Sequence, residues 1–268
     1  NPALLATSLS VTPILCFGTN TGSIIQTPSG GTPPYTFAWN DSPTSQNRNN
    51  LFAGDYTVTV TDNNGCTTSA TRNVGQRPDI VINLSVLANN VCNGGAIGAV
   101  SASISGGTSP YSFVWTGNIT GNGANSTINN LTAGTYRITV TDRFNCDKID
   151  SVIITEPTPI LIARDAVVNP TCNGLSDGSI SITVSGGVPN YTYAWNDLSI
   201  LEDRTNLPSG TYTVTVTDDN NCTAIFDTTL VDPVTLTAAI DSTRDPSCNG
   251  TTDGYISVLA TGGTGAYT

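Results

Sequence analysis

The sequence contains no histidine and no methionine, and only 11% of its 268 residues are charged. Without histidine the commonest general base is missing, and neither a Ser–His nor a Cys–His nucleophile pair can be assembled. The chain is therefore not expected to be an enzyme. Lys and Arg together number 9 against 20 Asp and Glu, for a net charge of −11. Clustered cations that could neutralise phosphates are lacking, so nucleic acid is not an expected partner. No run of 18 apolar residues occurs, so membrane insertion of this segment is not expected either. Glu, Lys and Gln are scarce, which argues against long helices.

What is abundant is turn and strand chemistry. Gly and Pro together number 41, and Thr, Ser and Asn fill much of the remainder. Gly, Asn and Pro supply the backbone angles of tight turns, so the composition suits many short strands. An acidic surface of this kind keeps an extracellular protein soluble.

The chain repeats itself. Cys16, Cys92, Cys172 and Cys248 each precede a glycine pair by 14 residues: Gly30-Gly31, Gly106-Gly107, Gly186-Gly187 and Gly262-Gly263. A tyrosine follows each pair (Tyr35, Tyr111, Tyr191, Tyr267), then Trp39, Trp115 and Trp195. Next come Gly-x-Tyr motifs at Tyr56, Tyr136 and Tyr212, aspartates Asp62, Asp142 and Asp218, and second cysteines Cys66, Cys146 and Cys222. The period is 76, 80 and 76 residues, and the four extra residues of the second copy fall in a Gly- and Asn-rich stretch between Trp115 and Leu131. Length change confined to one loop is what a repeated module tolerates. Prolines at positions 2, 78, 157 and 233 mark short joints. The expected modules are residues 1–77, 78–156 and 157–232, with 233–268 the first part of a fourth. Because the chain stops inside that fourth pattern and has no signal-like opening, it is expected to be an internal piece of a longer protein.

Within a copy, alternation of polar and apolar residues at Ser179–Ser185, Tyr191–Trp195 and Thr211–Thr217 is the period-two signature of half-buried strands. Further strands are expected from Ile160 to Val168 and from Cys222 to Leu230, with a weak one near Ile200. Six or seven strands in about 75–80 residues point to an all-β chain of tandem immunoglobulin-like antiparallel β-sandwich modules, arranged as an elongated rod. One Trp per copy on a central strand (Trp39, Trp115, Trp195) is the expected core residue of such a sandwich. Tyr56, Tyr136 and Tyr212 are expected to pack beside it, with a corner-type hydroxyl hydrogen bond. The glycine pairs are expected to supply positive φ in a turn.

Small sandwiches often need a staple, and the cysteines can provide one. Pairing within a copy (Cys16–Cys66, Cys92–Cys146, Cys172–Cys222) is the preferred scheme, because tandem modules usually fold independently. A closed loop of about 50 residues stabilises by roughly 4 kcal/mol. The odd cysteine, Cys248, would then lack a partner some 50 residues further on. The competing scheme joins neighbours 26 apart in sequence: Cys66–Cys92, Cys146–Cys172 and Cys222–Cys248. Either scheme implies an oxidising compartment.

The signature Cys172-Asn173-Gly174-x-x-Asp177-Gly178-Ser179-Ile180, followed by Gly186-Gly187, Tyr191-Thr192-Tyr193-Ala194-Trp195 and Gly210-Thr211-Tyr212, closely resembles the SprB repeat. That repeat is named after the large cell-surface adhesin of gliding bacteria. The resemblance covers essentially the whole chain. Copies one and two depart from it at the start (Cys16-Phe17-Gly18 and Cys92-Asn93-Gly94-Gly95-Ala96). It implies export by the type IX secretion system, an extracellular location on the outer surface of a bacterium, and a filament moved by the gliding machinery.

Two chemical alternatives attach to these residues. Asp62, Asp218 and Asp219 are oxygen donors that could bind calcium, but Arg143 and Phe144 stand where copy two would need ligands. A turn-forming aspartate explains all three copies, so no cofactor is expected. The loops after each Trp (Asn40–Asn50, Thr116–Asn130, Asn196–Asn206) differ in sequence while the scaffold does not. They are candidates for recognising surface polysaccharide or other surface proteins. The expected role is a stalk or adhesin segment whose nearest partners are the neighbouring repeats of the same chain. The alternatives are a glycan-binding module or a self-assembling extracellular fibre.

Overall fold

The computed structural model describes residues 3–117, 126–264, 266 and 267. Every regular element among them is a β-strand. Copy one contains β1 (Ala6–Thr12), β2 (Gly22–Ser29), β3 (Thr36–Trp39), β4 (Arg48–Leu51), β5 (Gly54–Thr61) and β6 (Thr67–Val74). These form two three-stranded antiparallel sheets, ordered β1-β2-β4 and β3-β5-β6. Copy two repeats the arrangement with β7 (Val81–Ala88), β8 (Gly98–Ser105), β9 (Ser112–Thr116), β10 (Thr127–Leu131), β11 (Gly134–Thr141) and β12 (Asp147–Ile154). Copy three does so with β13 (Leu161–Val168), β14 (Gly178–Ser185), β15 (Thr192–Trp195), β16 (Arg204–Leu207), β17 (Gly210–Thr217) and β18 (Thr223–Leu230). A two-stranded sheet, β19 (Thr237–Arg244) with β20 (Tyr255–Thr261), follows.

The strands lie where the period-two pattern puts them, with one exception. The weak strand expected near Ile200 is β16, which pairs with β14 through Gly178–Leu207 and Ile180–Arg204. Leu207 is buried and Ile200 is exposed. An apolar residue in the preceding loop was thus a poor guide to which apolar residue the sheet takes inward.

Alternation continues into the packing. In β17, Tyr212, Val214 and Val216 face inward, while in β14 Ile180 and Ile182 do so from the other sheet. Each copy closes its own core. The core residues of copy one run from Leu5 to Val74, of copy two from Ile80 to Ile154, and of copy three from Ile180 to Leu230. Trp39, Trp115 and Trp195 are buried in these three cores, each at about the same place in its sheet. By compactness the chain divides into one unit of residues 1–89 with 96–154, and another of residues 90–95 with 155–268. The short segment 90–95 therefore belongs with the copy that follows it.

Candidate functional site

The turn before the second cysteine is organised by an aspartate. Asp62 is buried, and its Oδ1 accepts the amide hydrogens of Asn64 and Cys66 at 3.0 and 2.9 Å. Its Oδ2 accepts from Thr32 at 2.9 Å, just past the glycine pair. Asp142 takes Phe144, Cys146 and Thr108 in the same way, and Asp218 takes Asn220, Cys222 and Val188. Burial alone would raise the carboxyls of Asp62 and Asp218. The amide donors outweigh it and hold them below the usual carboxylate range. The sequence offered Asp62, Asp218 and Asp219 as oxygen donors for a cation. The first two carboxylates are instead engaged by backbone amides, and no metal-binding cluster occurs among the described residues.

The glycine pair is shaped to fit this hub. Gly30 and Gly31 have φ of 66° and 65°, in the region that favours glycine. A Cβ on Gly30 would sit in the carbonyl of Leu4, and one on Gly31 would lie 3.0 Å from Asp62 Oδ2. The hydroxyl of Tyr35 donates to the Gly30 carbonyl at 2.6 Å. Tyr111, Tyr191 and Tyr267 make the same bond to Gly106, Gly186 and Gly262.

The first cysteine sits at the other end of the module. In copy one, Ile14 N donates to Gly75 O at 2.9 Å, which fixes the chain just before Cys16 beside the residue following β6. Gly18 N donates to Gln76 Oε1 at 2.9 Å. In the later copies acidic residues take over. Gly94 N and Asn93 Nδ2 donate to the carboxylate of Glu156, and Gly174 N donates to Asp232 Oδ2. Asn93 and Asn173 also donate to the carbonyls of the joint prolines, Pro157 and Pro233. The Cys-x-Gly turn is thus fastened to the joint by three side chains, Gln76, Glu156 and Asp232, that sequence reasoning missed. An acidic residue directly before the joint proline was the available signal.

These positions decide the disulfides, and they overturn the expected pairing. Cys16 is bonded to Cys146 with Cα atoms 5.4 Å apart, and Cys92 to Cys222 at 5.6 Å. Cys66, Cys172 and Cys248 are free and exposed. Neither Cys16–Cys66, Cys92–Cys146 nor Cys172–Cys222 forms, and the scheme joining cysteines 26 apart does not form either. The reason is strand length. Cys66 stands before β6 and Cys16 is held beside the residues after it, and an eight-residue strand separates its ends by roughly 25 Å. A disulfide needs Cα atoms within about 7 Å. Each bond observed runs from the first cysteine of one copy to the second cysteine of the next.

Contacts around the two bridges reinforce them. Arg77 lies over the Phe144 ring at 3.9 Å, and Lys148 pairs with Asp79 at 2.6 Å. In the second unit Asn220 Nδ2 donates to Val91 O at 3.0 Å.

The tryptophans anchor the loops that follow them. Trp39 Nε1 donates to Ser45 O at 2.8 Å and Trp195 Nε1 to Leu201 O at 2.7 Å. Arg48 pairs bidentately with Asp41 and lies over the Trp39 ring; Arg204 does the same with Asp197 and Trp195. The arginine lowers the carboxyl of each partner, Asp41 and Asp197. The sequence signal was an Asp and an Arg seven residues apart in copies one and three. Of the second loop, Thr116–Asn130, residues 118–125 lie outside the described residues. The corner tyrosines Tyr56, Tyr136 and Tyr212 donate four residues back, to Phe52, Thr132 and Pro208.

Among solved structures, three N-terminal domains of the bacteriophage RB49 outer capsid protein Hoc are 15% identical, with 85% of this chain and 97% of that one covered at a TM-score of 0.36. The first eight immunoglobulin domains of the Down syndrome cell adhesion molecule are 12% identical over 91% of this chain and 50% of that one, with a TM-score of 0.33. Domains 4–9 of the surface layer protein SbsC are 14% identical over 88% and 49%, at 0.26. No curated protein matches the chain. The SprB repeat profile matches four times, at residues 8–44, 84–120, 164–199 and 240–268. These matches cover more than half of the sequence and each spans a Cys-x-Gly turn and its glycine pair, so the chain belongs to the SprB repeat family.

Proposed function

We propose that the chain is a segment of a rod-like stalk on a bacterial surface, built from modules 1–77, 78–156 and 157–232 with a fourth beginning at 233. The observation that carries this reading is the pair of bonds Cys16–Cys146 and Cys92–Cys222. A disulfide that joins one module to the next limits rotation at the joint, which serves a load-bearing support more than an independently folded binding domain. Length then grows by duplication, because each module needs only its neighbours. The membership in a family named for a gliding adhesin favours outer-surface display through type IX secretion and a part in adhesion or gliding. The scarcity of catalytic residue types favours a role without catalysis. Small-angle X-ray scattering of the purified chain tests the stalk. A thin rod with a single cross-sectional radius is expected, and a compact globule would overturn it.

A second reading, surface recognition, is favoured by one feature. Leu198, Ile200 and Leu201 are 91%, 76% and 64% exposed, on a loop held rigid by Trp195 and by the Asp197–Arg204 pair. Apolar residues displayed on an anchored loop are suited to stacking against sugar rings or an apolar protein patch. Glycan-array binding that disappears in a variant with all three changed to Ser supports it; an array without signal argues against it.

A further inference from the structure

Cys66 and Cys172 are exposed thiols placed in surroundings that elsewhere in this chain belong to half of a disulfide. Cys66 N donates to Asp62 Oδ1 and its carbonyl accepts from Asp62 N, as Cys146 does with Asp142 and Cys222 with Asp218. Both counterparts are bonded to a first cysteine. Cys172 closes a turn with Leu175 N donating to its carbonyl, and the next two residues are fastened to Pro233 and Asp232. Cys92 closes the same turn, fastened to Glu156 and Pro157, and is bonded to a second cysteine.

We propose that Cys66 and Cys172 are covalent docking points for further repeats of this family. Cys172 takes the second cysteine of a repeat that follows, and Cys66 takes the first cysteine of a repeat that precedes. The partner is thereby specified chemically: a sandwich carrying the complementary cysteine in the complementary turn, delivered to the matching end. Joining two thiols releases two protons and two electrons. Glutathione disulfide, as the oxidant, accepts both and leaves as two molecules of glutathione. The proposal rests on the stalk reading for the identity of the partner, but a rod could exist without this ladder of bonds, so the two fail separately.

The test extends the full chain beyond Thr268 with a second copy of its residues 193–232, completing the pattern that starts at Cys248. After oxidation with glutathione disulfide, peptides are mapped without reduction. The appended copy of Cys222 is expected to be joined to Cys172, with Cys248 left as a free thiol, and Cys172→Ser is expected to abolish that cross-linked peptide. An appended cysteine joined to Cys248, or left free while Cys16–Cys146 and Cys92–Cys222 form, overturns the proposal. Should the extension fail to fold, residues 78–156 fused ahead of Pro2 ask the same question of Cys66. The added copy of Cys92 should then join Cys66, and its bonding to the added Cys146 copy, or its remaining free, overturns the proposal.

Discussion

Asp218 reaches from the β17–β18 turn to accept the amide hydrogen of Val188 at 2.9 Å. One carboxylate thereby ties two loops that are thirty residues apart in sequence. Replacement by asparagine, Asp218→Asn, keeps the size but sets an amide N–H₂ against one of the three backbone donors. A loss of several degrees in melting temperature is expected, with Asp219→Asn nearly silent by comparison, because among the described residues no hydrogen bond of its side chain holds the turn. Differential scanning calorimetry of the two variants checks this.

The same aspartates set an acid limit. Asp62 and Asp218 have folded pKa values below their ordinary ones, and Asp253 is lowered to about 2 by its bonds with Thr251 and Ser247. A depressed carboxyl contributes stability that is fully present above its unfolded value, about 3.9, and that is lost as pH falls through the folded value. The melting temperature is expected to be level above about pH 5 and to decline below pH 4. In Asp218→Asn the decline should be shallower. A decline centred near pH 6.5 instead would contradict this account, since no histidine is present to titrate there.

The glycine pair offers a graded comparison. Gly186 has φ of 77°, and a Cβ there would collide with the Pro159 carbonyl; Gly174 has φ of 80° but nothing near it. Gly174→Ala is expected to lose about 1 kcal/mol, the price of the backbone alone. Gly186→Ala must add displacement of the segment at Pro159, just before β13, and should lose more than twice that. Urea unfolding of both variants decides between a backbone and a packing origin.

Trp195 has two separable tasks, filling the core and holding Leu201 O. Trp195→Ala is expected to lose about 3–5 kcal/mol. Trp195→Phe keeps most of the packing and should lose about 2 kcal/mol. It should also raise hydrogen exchange at Ser199 and Leu201 while leaving β17 protected.

For the disulfides, non-reducing peptide mapping of the oxidised chain should recover Cys16–Cys146 and Cys92–Cys222 and three alkylatable thiols. A loop of 130 residues is worth about 5 kcal/mol by the chain-entropy argument. Cys146→Ser should therefore lower stability markedly while leaving Cys92–Cys222 intact. Recovery of Cys16–Cys66 would refute the pairing.

Much of this architecture could be read from residues in order. The repeat follows from recurring Cys, Gly-Gly, Trp and Asp landmarks, and the strands follow from two-residue alternation, because both are local properties of the chain. Trp39 and Tyr212 were recognisable as core residues because one large aromatic per small sandwich has nowhere better to go. The position of β16 was less legible. Leu207 and Ile200 are equally apolar, and only pairing with β14 selects between them.

The cysteine partners lay beyond reach of the sequence for a different reason. Composition and spacing determined that the thiols recur once at each of two places per copy, and hence that some regular pairing exists. Which pairing is formed depends on distance in space. The eight-residue β6 holds Cys16 and Cys66 at opposite ends of one sandwich, while the joint brings Cys16 to the turn that Asp142 organises. Only the tertiary structure could make a neighbour of a residue 130 positions away.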